Sequence, residues 1–156
     1  MRSLILIAAL LCACSTNGVT AIAPAGVIAN LTVPSDVTTA QTVQIHLSLK
    51  NSSDNPISLH LGNVRELSFD PRVIASDGTV VWTRLGGTTS AGEATTLGVA
   101  PGDTATFDAT WDLRTKPGGT PVPPGVYTVE ARVLGDDMPV VSGVTAKIRI
   151  SGAGKL

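Results

Sequence analysis

Hydrophobic and polar residues alternate along most of this chain, and the cleanest run lies at residues 104–113. Ala105, Phe107, Ala109, Trp111 and Leu113 fall on one face, and Thr104, Thr106, Asp108, Thr110 and Asp112 on the other. That two-residue period is the mark of a half-buried β-strand. The turn before it, Val99-Ala100-Pro101-Gly102-Asp103, suits a reversal, because proline presets one backbone angle and glycine relaxes the next. The rhythm resumes at Gly125-Val126-Tyr127, which places Trp111 and Tyr127 on two neighbouring core strands.

The same pattern extends in both directions. Residues 27–33 read as a first edge strand, ended by Pro34-Ser35-Asp36. In residues 42–50, Val43, Ile45, Leu47 and Leu49 alternate with Thr42, Gln44, His46, Ser48 and Lys50, and the polar turn 51–56 follows. Ile57, Leu59 and Leu61 then alternate with Ser58 and His60. Residues 67–75 and 79–84, the latter carrying Trp82, flank Asp77-Gly78, a strong hairpin signal. Residues 86–93 form a loop without a large side chain, residues 95–99 lead into the strand at 104–113, and residues 116–124 form a proline-rich loop. Tyr127, Val129, Ala131 and Val133 face inward against Val126, Thr128, Glu130 and Arg132. A final strand turns Val144, Ala146, Ile148 and Ile150 to the core. Seven to nine antiparallel strands and no helix predict an all-β, immunoglobulin-like sandwich.

The first residues follow a different rule. Arg2, the apolar run 4–11 and Leu11-Cys12-Ala13-Cys14 have the order of a secretory signal, and the apolar run is too short to span a bilayer. Leu at −3, a small residue at −1 and Cys at +1 resemble the bacterial lipobox. The resemblance implies cleavage before Cys14 and a lipid on its sulfur; an ordinary signal cut nearby is the alternative. The expected organisation is a signal at 1–13, a lipid-anchored linker at 14–26, a domain at 27–151 and a frayed tail at 152–156. A flexible linker of that length spans on the order of 20 Å. Ser15 in place of aspartate after the anchor favours the outer membrane in a host with two.

Composition narrows the function. Without Arg2 the 11 basic residues become 10 against 12 acidic ones, a net charge of −2, so neither nucleic acid nor an anionic membrane surface is an electrostatic partner. Cys12 and Cys14 are the only cysteines, which leaves the domain without a disulfide or a thiolate ligand. A monomer is expected.

The chemical candidates are few. His46 and His60 are the only histidines, and they become cross-strand neighbours if residues 42–50 and 57–61 form a hairpin. Zinc wants three or four protein ligands, so solvent-facing histidines are expected, with no metal and no cofactor. Asp108 and Asp112 on one strand stand about 13 Å apart, too far for a glycosidase pair. Asp136-Asp137 lacks the oxygen cage of a calcium site. No Gly-x-Ser-x-Gly or His-Glu-x-x-His motif occurs, and an enzyme is the weakest reading.

Asn51 closing a strand, Asp70 after Phe69, Gly78, Trp82, Pro101-Gly102, Trp111 and Gly125-x-Tyr127 stand in an order that resembles the BsuPI-type intracellular proteinase inhibitor domain over residues 42–134. Phe69-Asp70-Pro71 and the loop 86–93 depart from that pattern by lacking the expected aromatic residues. The resemblance implies an immunoglobulin-like sandwich and proteinase inhibition. An inhibitor needs an exposed, stiff segment, and the best candidate is the loop carrying Arg114, Lys116 and Pro117; otherwise it merely bridges two strands. The sequence therefore predicts a lipid-anchored binding module directed at a proteinase, the alternative being an interaction module with a non-proteinase partner in the envelope.

Overall fold

The computed structural model describes residues 21–87, 93–116, 119–135 and 139–152. Among them run ten strands: β1 (Val27–Thr32), β2 (Asp36–Thr38), β3 (Val43–Asn51), β4 (Ile57–Leu61), β5 (Arg72–Ile74), β6 (Val80–Thr83), β7 (Thr95–Val99), β8 (Thr104–Trp111), β9 (Gly125–Leu134) and β10 (Pro139–Ser151). One helical turn, α1 (Arg65–Ser68), lies between β4 and β5.

Three sheets result, ordered β1-β3-β8, β2-β10-β9-β5-β6 and β4-β7. All pairings are antiparallel except β2 with β10. Alternation in β3 is complete, with Val43, Ile45, Leu47 and Leu49 at 1% exposure or less. These side chains meet the inner faces of β9 and β10, where Val129, Ala131 and Val133 are fully buried. The result is an all-β sandwich with one continuous apolar core.

Several expectations need correction. Trp111 and Tyr127 are not on neighbouring strands: β8 and β9 belong to opposite sheets, and the two rings meet edge to face across the core at 6.2 Å. Alternation reports which face is buried but not which strand lies alongside, so both arrangements fit one pattern. Likewise β3 and β4 do not form a hairpin; β4 pairs with β7.

Residues 67–75 are not one strand, and the fold is not free of helix. Ser68, Phe69, Asp70 and Pro71 are buried in succession, which no two-residue period produces. The α1 turn closes by Ser68 N–H donating to the Val64 carbonyl at 3.1 Å. Leu113 does not extend β8. It takes φ of 58° and reaches the core from the following loop. The additional strand β2 has three residues and forms by parallel pairing with Arg149, Ile150 and Ser151, a non-local bond with no local signal. Glu130, expected outward and wet, is 5% exposed.

Candidate functional site

Most residues singled out by the sequence prove to be joints of the scaffold. Asn51 is fully buried and satisfied at every polar atom. Its Nδ2 donates to the carbonyls of Asn55 at 2.7 Å and Val99 at 2.9 Å, while its Oδ1 accepts from Ser53 N–H and Ser53 Oγ. One side chain therefore holds the β3–β4 turn against the β7–β8 turn. In that second turn Asp103 N–H donates to the Ala100 carbonyl at 3.0 Å and Gly102 has φ of 80°. This is the type II geometry that Pro101-Gly102 favours.

Asp70 is nearly buried and ties the exit of β6 to β9. Its Oδ1 accepts from Leu85 N–H at 2.9 Å, and its Oδ2 lies 3.6 Å from Arg132 Nη1. Gly78, at φ of 87°, ends the β5–β6 hairpin turn, where Asp77 Oδ1 accepts from Thr79 N–H. The Thr79 backbone bond, seconded by its hydroxyl, holds the Asp77 carboxyl below its ordinary pKa of 3.8.

The aromatic residues brace the candidate contact loop. Trp82, Trp111 and Tyr127 stack in a row, with centroids 6.0 and 6.2 Å apart. Trp111 Nε1 donates to the Arg114 carbonyl at 2.9 Å, and Tyr127 OH donates to the Pro123 carbonyl at 2.7 Å. Gly125 sets the start of β9 opposite Ile150. Both ends of the loop are thus pinned to the core by ring donors.

Within the loop, Val122 N–H donates to Leu113, Thr115 N–H to Thr120 and Gly119 N–H to Lys116. Arg114 is exposed, but its guanidinium is engaged within the loop. Its Nη1 donates to the Gly119 carbonyl at 2.6 Å, and its Nε is 3.8 Å from Asp112. Lys116 is exposed, but its carbonyl is engaged by Gly119 at 2.7 Å. Residues 113–116 are thus bonded to residues 119–122, and the Lys116 carbonyl is not free. Pro117 lies outside the described residues, as do Cys14 and Asp136-Asp137.

His46 and His60 are not neighbours. His46 Nδ1 lies 2.7 Å from Asp108 Oδ1, and His60 Nδ1 is 3.2 Å from Thr96 Oγ1. Among the described residues no group of three metal-ligating side chains converges.

Sequence reasoning passed over one feature. An open cleft of about 280 Å³ runs beside β8, with Thr106 and Asp108 on one wall and Arg65, Phe69 and Arg84 on the other. Arg65 donates to the Thr106 carbonyl and lies 5.2 Å over the Phe107 ring. Arg84 donates to the carbonyls of Glu66 and Phe69. Nothing in the local pattern around residue 65 links it to residue 106; a lone arginine in a short polar segment was the one available signal.

Comparison with solved structures gives distant likenesses. The beta-glucosidase from Listeria innocua in complex with isofagomine is 12% identical at a TM-score of 0.45, over 83% of this chain and 17% of that one. The alkylpurine DNA glycosylase AlkC from Pseudomonas fluorescens is 16% identical at 0.47, over 83% and 31%. The CARDB domain of PF1109 from Pyrococcus furiosus, in complex with di-metal ions, is 16% identical at 0.40, over 81% and 87%. This chain spans only a minor part of the two enzymes, and none of the three carries a functional argument. No curated protein matches it. The family profile "BsuPI: Intracellular proteinase inhibitor" matches residues 31–138, a span that holds Asn51, Asp70, Gly78, Trp82, Pro101, Gly102, Trp111, Gly125 and Tyr127. By that match over most of its length, the chain belongs to the BsuPI intracellular proteinase inhibitor family.

Proposed function

We propose that this chain is a non-catalytic, proteinase-directed binding module, tethered to the bacterial envelope through lipid on Cys14. Family membership across residues 31–138 is the observation that carries the reading. The fold supports it, because a pinned surface hairpin loses little conformational entropy when a partner docks. With Arg114 folded back on Gly119, Lys116 is the basic side chain available to an acidic specificity pocket.

The test is titration of the purified protein into serine, cysteine, aspartic and metalloproteinases. Activity of at least one should fall linearly to a stoichiometric end point, and Lys116→Ala should weaken that inhibition. If no class responds, the inhibitor reading is wrong. For the tether, labelled palmitate should enter the protein in a bacterial host, and Cys14→Ser should release it from membranes. The expected membrane is the outer one where the host has two.

One observation favours a second reading. The Lys116 carbonyl is tied into a turn, whereas a substrate-like inhibitor presents its carbonyl to the proteinase. An interaction module with a non-proteinase envelope partner fits that closed geometry, and an inactive proteinase panel together with capture of a defined envelope protein by the lipidated chain would establish it.

A further inference from the structure

Among the described residues β8 is an edge strand, paired with β3 on one side only. One bond decides which of its groups point outward. Asn51 N–H donates to the Asp103 carbonyl, and continuing the register in which Lys50 faces Thr104 puts the bonded pairs at Asp103, Ala105, Phe107 and Ala109. Thr104, Thr106, Asp108 and Thr110 therefore turn their backbone N–H and C=O groups away from the sheet. The Arg65 guanidinium agrees with that direction, since it reaches the Thr106 carbonyl from outside.

An open strand edge is a template for another strand, and here a cleft runs along it. The charge in that cleft is distinctive. Arg72, Arg114, Arg132 and Arg149 each stand against a carboxylate, on Glu130, Asp112, Asp70 and Asp36. Arg65 and Arg84, both facing the cleft, bind backbone carbonyls instead, and among the described residues neither forms an ion pair. Glu66 shares the cleft without pairing to either, and Asp108 is engaged with His46. Two guanidiniums with donors to spare thus flank the outward backbone groups of one edge.

We propose that this groove receives an extended segment of a partner protein as an added strand on β8, with an acidic side chain of that segment held by Arg65 and Arg84. Backbone bonds to the Thr106 N–H and to the N–H and C=O groups of Asp108 and Thr110 supply the affinity, the Thr106 carbonyl being already held by Arg65, and the spare donors of the arginine pair select the charge. The inference rests on the reading of the chain as a binding module and is independent of the partner's being a proteinase.

A random library of nine-residue peptides, selected on the full-length protein and measured by fluorescence anisotropy, tests it. Enriched peptides should carry Asp or Glu and should lose binding when alternate backbone nitrogens are methylated. They should bind about tenfold more weakly to Arg84→Gln. Because Arg84 also holds two carbonyls of its own chain, Thr110→Pro is the second variant. It removes an outward N–H and keeps every backbone bond to β3, at the cost of the exposed hydroxyl bond to Gln44, and with circular dichroism unchanged it should weaken the same peptides. Failure to enrich acidic peptides, indifference to methylation, full binding by folded Thr110→Pro, or a β8-mediated dimer filling the edge would each overturn the proposal. No proteinase enters this selection, so its failure and that of the inhibitor reading are separately visible.

Discussion

Asn51 shows how a single polar side chain can set the geometry of two turns. Replacing it with alanine removes the buried bond to the Val99 carbonyl together with the part-buried bonds to the Asn55 carbonyl and the Ser53 N–H. The expected loss is about 2–4 kcal/mol, read from urea unfolding. Tyr127 makes a smaller contribution with a pH signature. Burial pushes its hydroxyl above the ordinary pKa of 10.0, so the folded state holds the neutral phenol. That contribution is complete below pH 10 and is lost as pH rises through the raised folded value. Tyr127→Phe should cost about 1 kcal/mol at neutral pH through loss of the bond to Pro123, and it should flatten the alkaline limb of the stability curve above pH 10.

Glu130 sits where two strands would otherwise slip. The β9–β10 register shifts between Val141 and Val144, and Gly143 occupies the irregularity with φ of 74°. Glu130 Oε1 accepts from Gly143 N–H at 3.2 Å while its Oε2 accepts from Arg72 Nε at 2.7 Å. The carboxylate thus joins β5, β9 and the β10 bulge. Glu130→Ala should destabilise the domain by about 2 kcal/mol, less than a fully buried pair because Arg72 remains partly in water. Hydrogen exchange should show the loss first at Val141 to Val144, and a uniform loss over all strands would speak against a register lock. At the same scale, Arg114 acts as a brace for the hairpin between β8 and β9. Arg114→Ala should raise exchange of the Thr115 and Gly119 amides while leaving Trp111 packed.

Among the described residues, stability comes from side-chain packing between sheets, and no cysteine occurs there to cross-link them. Both cysteines lie before residue 15. The thermal midpoint should therefore be the same with and without reductant; a fall of several degrees on reduction would mean that Cys12 and Cys14 contribute to the fold. The sandwich also explains why the two histidines stay apart. β3 lies in one sheet and β4 in another, so residues only 14 positions apart in sequence are turned to different partners.

Much of the fold was legible locally. Alternation located β3, β4, β8, β9 and β10 because each buries one face, and Pro101-Gly102 and Asp77-Gly78 marked turns because their backbone angles restrict the residues that fit. The short β2 and the buried Glu130 were not legible, since each depends on a partner distant in sequence, and the α1 turn was not because four residues are too few to show a helical period. The loop carrying Arg114 and Lys116 was visible as proline-rich, but its closed shape rests on ring donors from Trp111 and Tyr127 that only the assembled core brings into range.

The sequence by itself determined which side chains leave water, where the chain reverses and which family it joins, because these follow from side-chain chemistry at one or two positions. Only the tertiary structure decided which strands lie side by side, which edge is left open and which arginines lack a carboxylate. Periodicity records the direction a side chain points, whereas neighbours are fixed by the joint packing of all strands at once.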